Sequence, residues 1–99
     1  MLNIQKKKEN GVLAIQLEGR LDTTTAPELE NCLRESLDGV KELQFDFAGL
    51  EYISSAGLRV LLGAQKIMNK QGSMKLSHVS EVINEIFEVT GFCDILTIE

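Results

Sequence analysis

Apolar residues recur along this chain with a spacing of two in some stretches and of three or four in others, and the switches between the two rhythms delimit the elements. Leu13, Ile15 and Leu17 share one side of an extended segment, with Ala14, Gln16 and Glu18 on the other. Residues 2–8 and 12–18 flank Asn10-Gly11, a dipeptide favoured in two-residue hairpin turns because both positions need positive φ. The spacing predicts an antiparallel hairpin with one apolar face.

Gly19-Arg20-Leu21-Asp22-Thr23-Thr24 then leads into Thr25-Ala26-Pro27-Glu28, where a Thr and a Glu three apart form a capping box and a proline sits in the first turn. Leu29, Cys32, Leu33 and Leu37 follow at helical spacing, which places Cys32 on the buried stripe as a small hydrophobe. Leu43, Phe45 and Phe47 alternate with Gln44 and Asp46 and predict a third strand.

A second helix opens at Ser54-Ser55. Projected at the helical period, Gly57, Val60, Leu61, Ala64, Ile67 and Met68 fall on one side, Arg59, Gly63, Lys66 and Lys70 opposite, and Leu58, Leu62, Gln65 and Asn69 on a flank. Residues 74–78 form a short fourth strand. Ser80 caps a third helix with apolar positions Val82, Ile83, Ile86, Phe87 and Thr90, and Gly91 ends it. Residues 94–99 supply a last short strand at an edge.

Strands that alternate with helices after an initial hairpin give an α/β fold with a mixed sheet of four to five strands. The hairpin is antiparallel and the remainder mostly parallel through right-handed crossovers. Because the strands are apolar on alternate positions only, the main helices are expected on one face and the other face thinly covered. No repeat, linker or low-complexity tract interrupts the 99 residues, and a single domain over 1–99 is expected.

Composition narrows the function. A formal net charge of −5 and a pI near 4.9 argue against a nucleic-acid binder, which shows a basic face to phosphates. Lys6-Lys7-Lys8 is the one basic run and reads as a solvated strand end, shorter than an electrostatic membrane anchor. Cys32 and Cys93 lack the spacing of a redox pair or a zinc site, and His78 is the sole histidine, so no metal is expected. No secretory leader and no apolar run near the ~20 residues of a membrane span are visible, and a cytoplasmic location is expected. There is no phosphate-cradling glycine loop and no nucleophile with a base and oxyanion donors, so neither an enzyme nor a cofactor is indicated.

The chemistry concentrates in Tyr52-Ile53-Ser54-Ser55-Ala56-Gly57-Leu58, where a strand runs into a helix. A helix start presents free N–H groups and partial positive charge, so a phosphate on a serine there is accommodated. Read from the residues alone, one serine is an N-cap, with Ser54 preferred, and the other is exposed. Asp22, on the loop after the second strand, can cap a turn through its own backbone. Leu58 and Leu62 either form an exposed apolar patch beside the serines that a partner covers, or are covered by neighbouring elements. Asp46 and His78 read as structural or solvent-facing.

Gly-Arg-Leu-Asp with Thr25-Ala26 and Leu29, then Phe45-Asp46-Phe47-Ala48-Gly49-Leu50, then the serine segment, and finally Val89-Thr90-Gly91-Phe92 occur in an order that resembles the STAS domain, over nearly the whole chain. The resemblance implies a free-standing anti-sigma factor antagonist. Its unphosphorylated form would bind a serine-kinase anti-sigma factor, and a PP2C-like phosphatase would reset it. In such members the serine after an acidic residue in an Asp-Ser-Ser/Thr-Gly pattern is phosphorylated, which by position is Ser55. Here Ser54 replaces the aspartate and Ala56 the second hydroxyl, leaving Ser54 as the alternative acceptor. The resemblance also implies that the Asp22 loop lies beside the Ser55 helix start, where Asp22 positions the serine hydroxyl or contacts the partner if it is not simply a turn cap, and Asp22, Ser54, Ser55, Gly57, Leu58 and Leu62 are the expected partner-facing residues. The family also implies two other roles, an accessory domain of a membrane transporter and a scaffold subunit in a signalling assembly.

Overall fold

The computed structural model describes residues 2–99. In chain order it contains β1 (Leu2–Glu9), β2 (Val12–Leu21), α1 (Ala26–Ser36), β3 (Glu42–Ile53), α2 (Ser55–Gln71), β4 (Ser73–Ser77) and α3 (Glu81–Thr90), followed by a 3-10 turn at Phe92–Asp94. The sheet order is β1-β2-β3-β4, with β1 antiparallel to β2 and the other neighbours parallel. Asn10 and Gly11 turn the hairpin with φ of 52° and 81°, as that dipeptide predicts.

One face of the sheet carries the core. Leu13, Ile15 and Leu17 of β2, Leu43, Phe45 and Phe47 of β3, and Met74 and Leu76 of β4 are buried there, joined by Leu29 and Leu33 of α1, Leu61 and Met68 of α2, and Ile83 and Phe87 of α3. The opposite face shows exposed Gln5, Gln16 and Gln44, so the one-sided cover expected from the alternation is what the fold adopts.

Four differences from the sequence expectations have local physical causes. First, β2 and β3 run on to Leu21 and Ile53 because register irregularities between Gln16 and Glu18 and between Gly19 and Arg20 reset the alternation. Leu50 and Ile53 return to the core past the point where the two-residue pattern stops.

Second, residues 94–99 do not form a strand. After the left-handed Gly91, the amides of Asp94, Ile95 and Leu96 bond back to Gly91 and Phe92, curling the chain. Only the last residues lie along β4, as a single parallel bridge between Leu76 and Ile98. Among the described residues the sheet therefore has four strands.

Third, the Thr25–Glu28 capping box does not form. Thr25 makes no side-chain cap; its buried hydroxyl donates to the Arg20 carbonyl at 2.8 Å and accepts from the Asp22 amide at 2.8 Å. Within α1 the buried stripe is Ala26, Leu29, Leu33 and Ser36, and Cys32 stands half-buried at its margin.

Fourth, Lys6 and Lys8 are engaged rather than simply solvated. They lie on the helix side of β1, where Lys6 Nζ donates to Ser36 Oγ at 2.9 Å and Lys8 Nζ to the Ser36 and Asp38 carbonyls at 3.1 and 2.9 Å. Cations at a helix C-terminus complement its dipole and occupy its free carbonyls.

Candidate functional site

The ends of β2 and β3 bring the two segments singled out in the sequence together. Leu21 pairs with Ile53 in the ladder, and the next residue, Ser54, donates its amide to the Leu21 carbonyl at 2.8 Å. The loop after β2 therefore stands against the start of α2.

Ser54 is the N-cap. Its backbone is extended (φ −98°, ψ 176°), its Oγ accepts from the Gly57 amide at 3.4 Å, and its carbonyl accepts from the Leu58 amide at 2.9 Å. A cap of this kind contributes about 1 kcal/mol. Ser55 is the first residue of the helix, exposed, and among the described residues its hydroxyl has no hydrogen-bond partner. The two serines divide the work: one side chain closes the helix and the other is presented to solvent. No acidic residue occupies the first turn of α2, so the positive end of the helix is not already neutralised by its own side chains.

Gly57 fixes how closely this helix start approaches the sheet. A Cβ there would lie 2.7 Å from Leu21 Cγ and 2.9 Å from Ile53 Cγ1, both on fully buried side chains. Gly57→Ala is expected to cost about 2 kcal/mol by overpacking. Thermal unfolding measures that loss, and the shifted helix start should also reduce partner binding.

Asp22 serves as a turn cap. Its Oδ1 accepts from the Thr24 amide at 3.0 Å, the Thr24 hydroxyl at 2.7 Å and the Thr25 amide at 3.1 Å. Its Oδ2 lies 3.9 Å from Arg20 Nε, and the Arg20 guanidinium stacks 4.5 Å from the centroid of Tyr52. Among the described residues Asp22 makes no hydrogen bond to either serine. It shapes the loop beside Ser54 from within.

The Thr24 hydroxyl, with the Thr24 and Thr25 amides, holds the Asp22 carboxyl below the ordinary carboxylate range, against an opposing effect of burial. A depressed folded-state pKa stabilises above the unfolded value and loses that contribution as pH falls through the folded one. The difference in melting temperature between wild type and Asp22→Ala should therefore be full above about pH 4 and shrink below it. A difference that stayed constant down to pH 2 would refute this assignment.

Of the two readings of Leu58 and Leu62, cover by neighbouring elements holds for Leu58 and only in part for Leu62. Leu58 is only 6% exposed and belongs to the core, and Leu62 is half-buried. The buried side of α2 is Gly57, Leu58, Val60, Leu61, Ala64, Gln65 and Met68, rotated toward the flank so that Ile67 emerges at 45% exposure. The surface that does adjoin Ser55 is a shallow groove lined by Thr23, Ala26, Pro27, Glu30, Ala56, Arg59 and Val60, between the N-terminal ends of α1 and α2. Arg59, one turn after Ser55, stands on the outer side of the helix, where the helical projection puts it, and nothing in the spacing marks the α1 residues opposite.

The remaining candidates lie elsewhere. His78, at φ 55°, places Nδ1 3.0 Å from Asp46 Oδ1, which also accepts from the Ala48 amide at 2.9 Å. Sequence reasoning found no partner for His78 because the two residues are 32 apart. Both cysteines are free, and among the described residues no three metal-ligating side chains cluster. No helix of the described residues is long and apolar enough to cross a membrane.

The model of the STAS domain matches residues 3–99. The chain belongs to the STAS domain family. Among curated relatives of this STAS chain, BtrV of Bordetella bronchiseptica is 34% identical over 99 residues, covering 98% of this chain and 85% of BtrV. The anti-sigma-B factor antagonist of Bacillus subtilis is 31% identical over 98 residues, covering 98% and 90%. Among solved structures, the anti-sigma factor antagonist SpoIIAA in its unphosphorylated form superimposes with a TM-score of 0.77 at 17% identity, covering 98% of this chain and 87% of that one. The Bacillus SpoIIAA structure in the phosphorylated form gives 0.76 at 18% identity, covering 98% and 91%. At those identities the likeness is one of fold: a mixed four-stranded sheet with its helices is the STAS architecture.

Proposed function

We propose that this STAS domain is an anti-sigma factor antagonist: unphosphorylated, it binds a serine-kinase anti-sigma factor and so frees a sigma factor, and phosphorylation of Ser55 ends that binding. The reading is supported by the curated relatives, among them the anti-sigma-B factor antagonist of Bacillus subtilis at 31% identity over 98% of this chain. The observation that carries the switch is the division between the two serines. Ser54 spends its hydroxyl on the Gly57 amide, whereas Ser55 presents a free one at the helix start.

A phosphate there adds about −1.5 to −2 charges at the favourable end of α2, so the domain keeps its fold. A partner docked on the groove beside Ser55 must desolvate or repel that charge, so the complex fails. In this scheme the domain is substrate and binding partner, with the chemistry supplied by the kinase and by a PP2C-like phosphatase that removes the phosphate. Ser55 with the Thr23–Arg59 groove forms the contact region, and buried Gly57 sets how closely that helix start sits on the sheet. Asp22 and Ser54 support it from below, and the setting is the cytoplasm.

The test is phosphosite mapping by mass spectrometry on protein recovered from its own cells in growth and under stress, with co-purifying proteins identified in the same sample. Condition-dependent phosphate on Ser55 together with a serine kinase is the expected result. Phosphate on Ser54 instead, or none under any condition with a permease recovered in place of a kinase, would overturn it.

A further inference from the structure

Two exposed helices of this chain carry opposite charge, and neither is neutralised within the chain. α2 contains Arg59, Lys66 and Lys70 and no acidic residue, whereas α3 contains Glu81, Glu85 and Glu88 and no basic one. All six are exposed, and among the described residues none takes part in an ion pair. Arg59 and Lys66 are seven residues apart, as are Glu81 and Glu88, which places each pair about 10 Å apart along its helix.

Each charged row borders an apolar feature. On α3, Val82 and Val89 are 60% and 83% exposed and with half-buried Ile86 make a stripe at i, i+4 and i+7 beside Glu85. On α2, Arg59 lines a shallow groove against α1 with Leu33, Leu37, Val60, Gly63, Ala64 and Ile67, where the two α1 charges, Glu30 and Arg34, pair with each other. Gly63 is exposed in mid-helix, and a Cβ there would meet nothing within 4 Å. The chain's own packing has no use for a glycine at that position, and a mid-helix glycine weakens the helix. What a missing side chain permits is close approach by something outside the chain.

We propose that a second copy of this chain occupies that groove. Its α3 stripe lies along the α1–α2 groove, ridge into groove, and Glu81, Glu85 and Glu88 of one copy face Arg59, Lys66 and Lys70 of the other. Ridge, groove and both charge rows belong to this one sequence, which is why the occupant is a copy and not a different protein. A low-end interface buries about 600 Å² per partner, roughly a tenth of the 5677 Å² surface of this chain. The association is accordingly weak, with a dissociation constant on the order of 100 µM. The groove shares Glu30, Arg59 and Val60 with the surface beside Ser55, so self-association is tested on unphosphorylated protein with no kinase present.

Sedimentation velocity from about 10 µM to 1 mM, at low and high salt, reads it directly. The expected result is a mass that rises with concentration and falls back with salt. Lys66→Glu and Glu85→Lys should each weaken self-association at least tenfold, and a one-to-one mixture of these two variants should restore it, because the mixed contact again sets opposite charges together. Gly63→Gln should raise the melting temperature while abolishing association, a split that a purely structural glycine would not produce. A monomer at every concentration, reversal variants that associate like wild type, or a mixture that stays dissociated would each overturn the proposal.

Discussion

Ser55→Asp is expected to lower affinity for the serine-kinase anti-sigma factor about 100-fold, equivalent to ~2.8 kcal/mol, while the melting temperature stays close to wild type. The two halves of that expectation have separate causes. Ser55 is exposed at the first position of α2, where its hydroxyl makes no contact that folding depends on and where the helix dipole favours a carboxylate. The same charge under a docked partner is desolvated or opposed, and one badly placed charge in an interface accounts for a loss of that size. Ser55→Ala is the control: it should bind within a few-fold of wild type and no longer respond to the kinase and ATP. Titration calorimetry with the purified kinase gives all three affinities. Equal affinity for wild type and Ser55→Asp would end the charge-switch reading, even if Ser55 proved to be phosphorylated.

Gly72→Ala should have the largest effect on stability, about 3 kcal/mol. Gly72 ends α2, donating its amide to the Met68 carbonyl at 2.7 Å, and the chain turns at once into β4, where the Ser73 amide bonds the Lys41 carbonyl at 2.9 Å. A Cβ on residue 72 would fall 1.8 Å from that same Lys41 oxygen and 2.5 Å from its carbon. The obstacle is backbone, so no rotamer change relieves it, and either the α2–β4 connection or the entry into β3 must move. Gly63→Ala, on the same helix with nothing within 4 Å of the added methyl, should instead stabilise by about 0.5–1 kcal/mol. Urea unfolding of the two variants side by side checks both signs. If Gly72→Ala unfolded at the wild-type midpoint, the close approach described here would be wrong.

The readings that succeeded share a property: the signal is local. Asn10-Gly11 turns the hairpin because the two positive φ values are a requirement of the dipeptide's own turn. Ser80 caps α3 through the Ile83 amide at 3.3 Å, and Ser54 caps α2, because a capping oxygen needs only the amide three residues on. The readings that failed needed knowledge of what lies opposite. The Thr25–Glu28 pair fits a capping box by spacing, yet Asp22 reaches the same turn first and draws the Thr25 hydroxyl back toward Arg20. Leu58 was placed on a flank by the helical period, and its burial follows from how closely Gly57 lets α2 settle onto Leu21 and Ile53. The terminal strand failed because backbone bonds from Asp94, Ile95 and Leu96 to Gly91 and Phe92 use up the residues that would have extended along β4.

By itself the sequence determined the α/β order, the hairpin, the three helices and the segment that carries the two serines, because periodicity and capping are properties of neighbours along the chain. The tertiary structure alone decided that the Asp22 loop stands beside the serines without bonding to them through the Asp22 side chain, that Lys6 and Lys8 close the end of α1, and that the surface beside Ser55 is a groove between α1 and α2. Each of those turns on where segments far apart in sequence come together, fixed by the depth and rotation at which a helix packs on the sheet. A one-dimensional pattern constrains that rotation only to within the width of the apolar stripe.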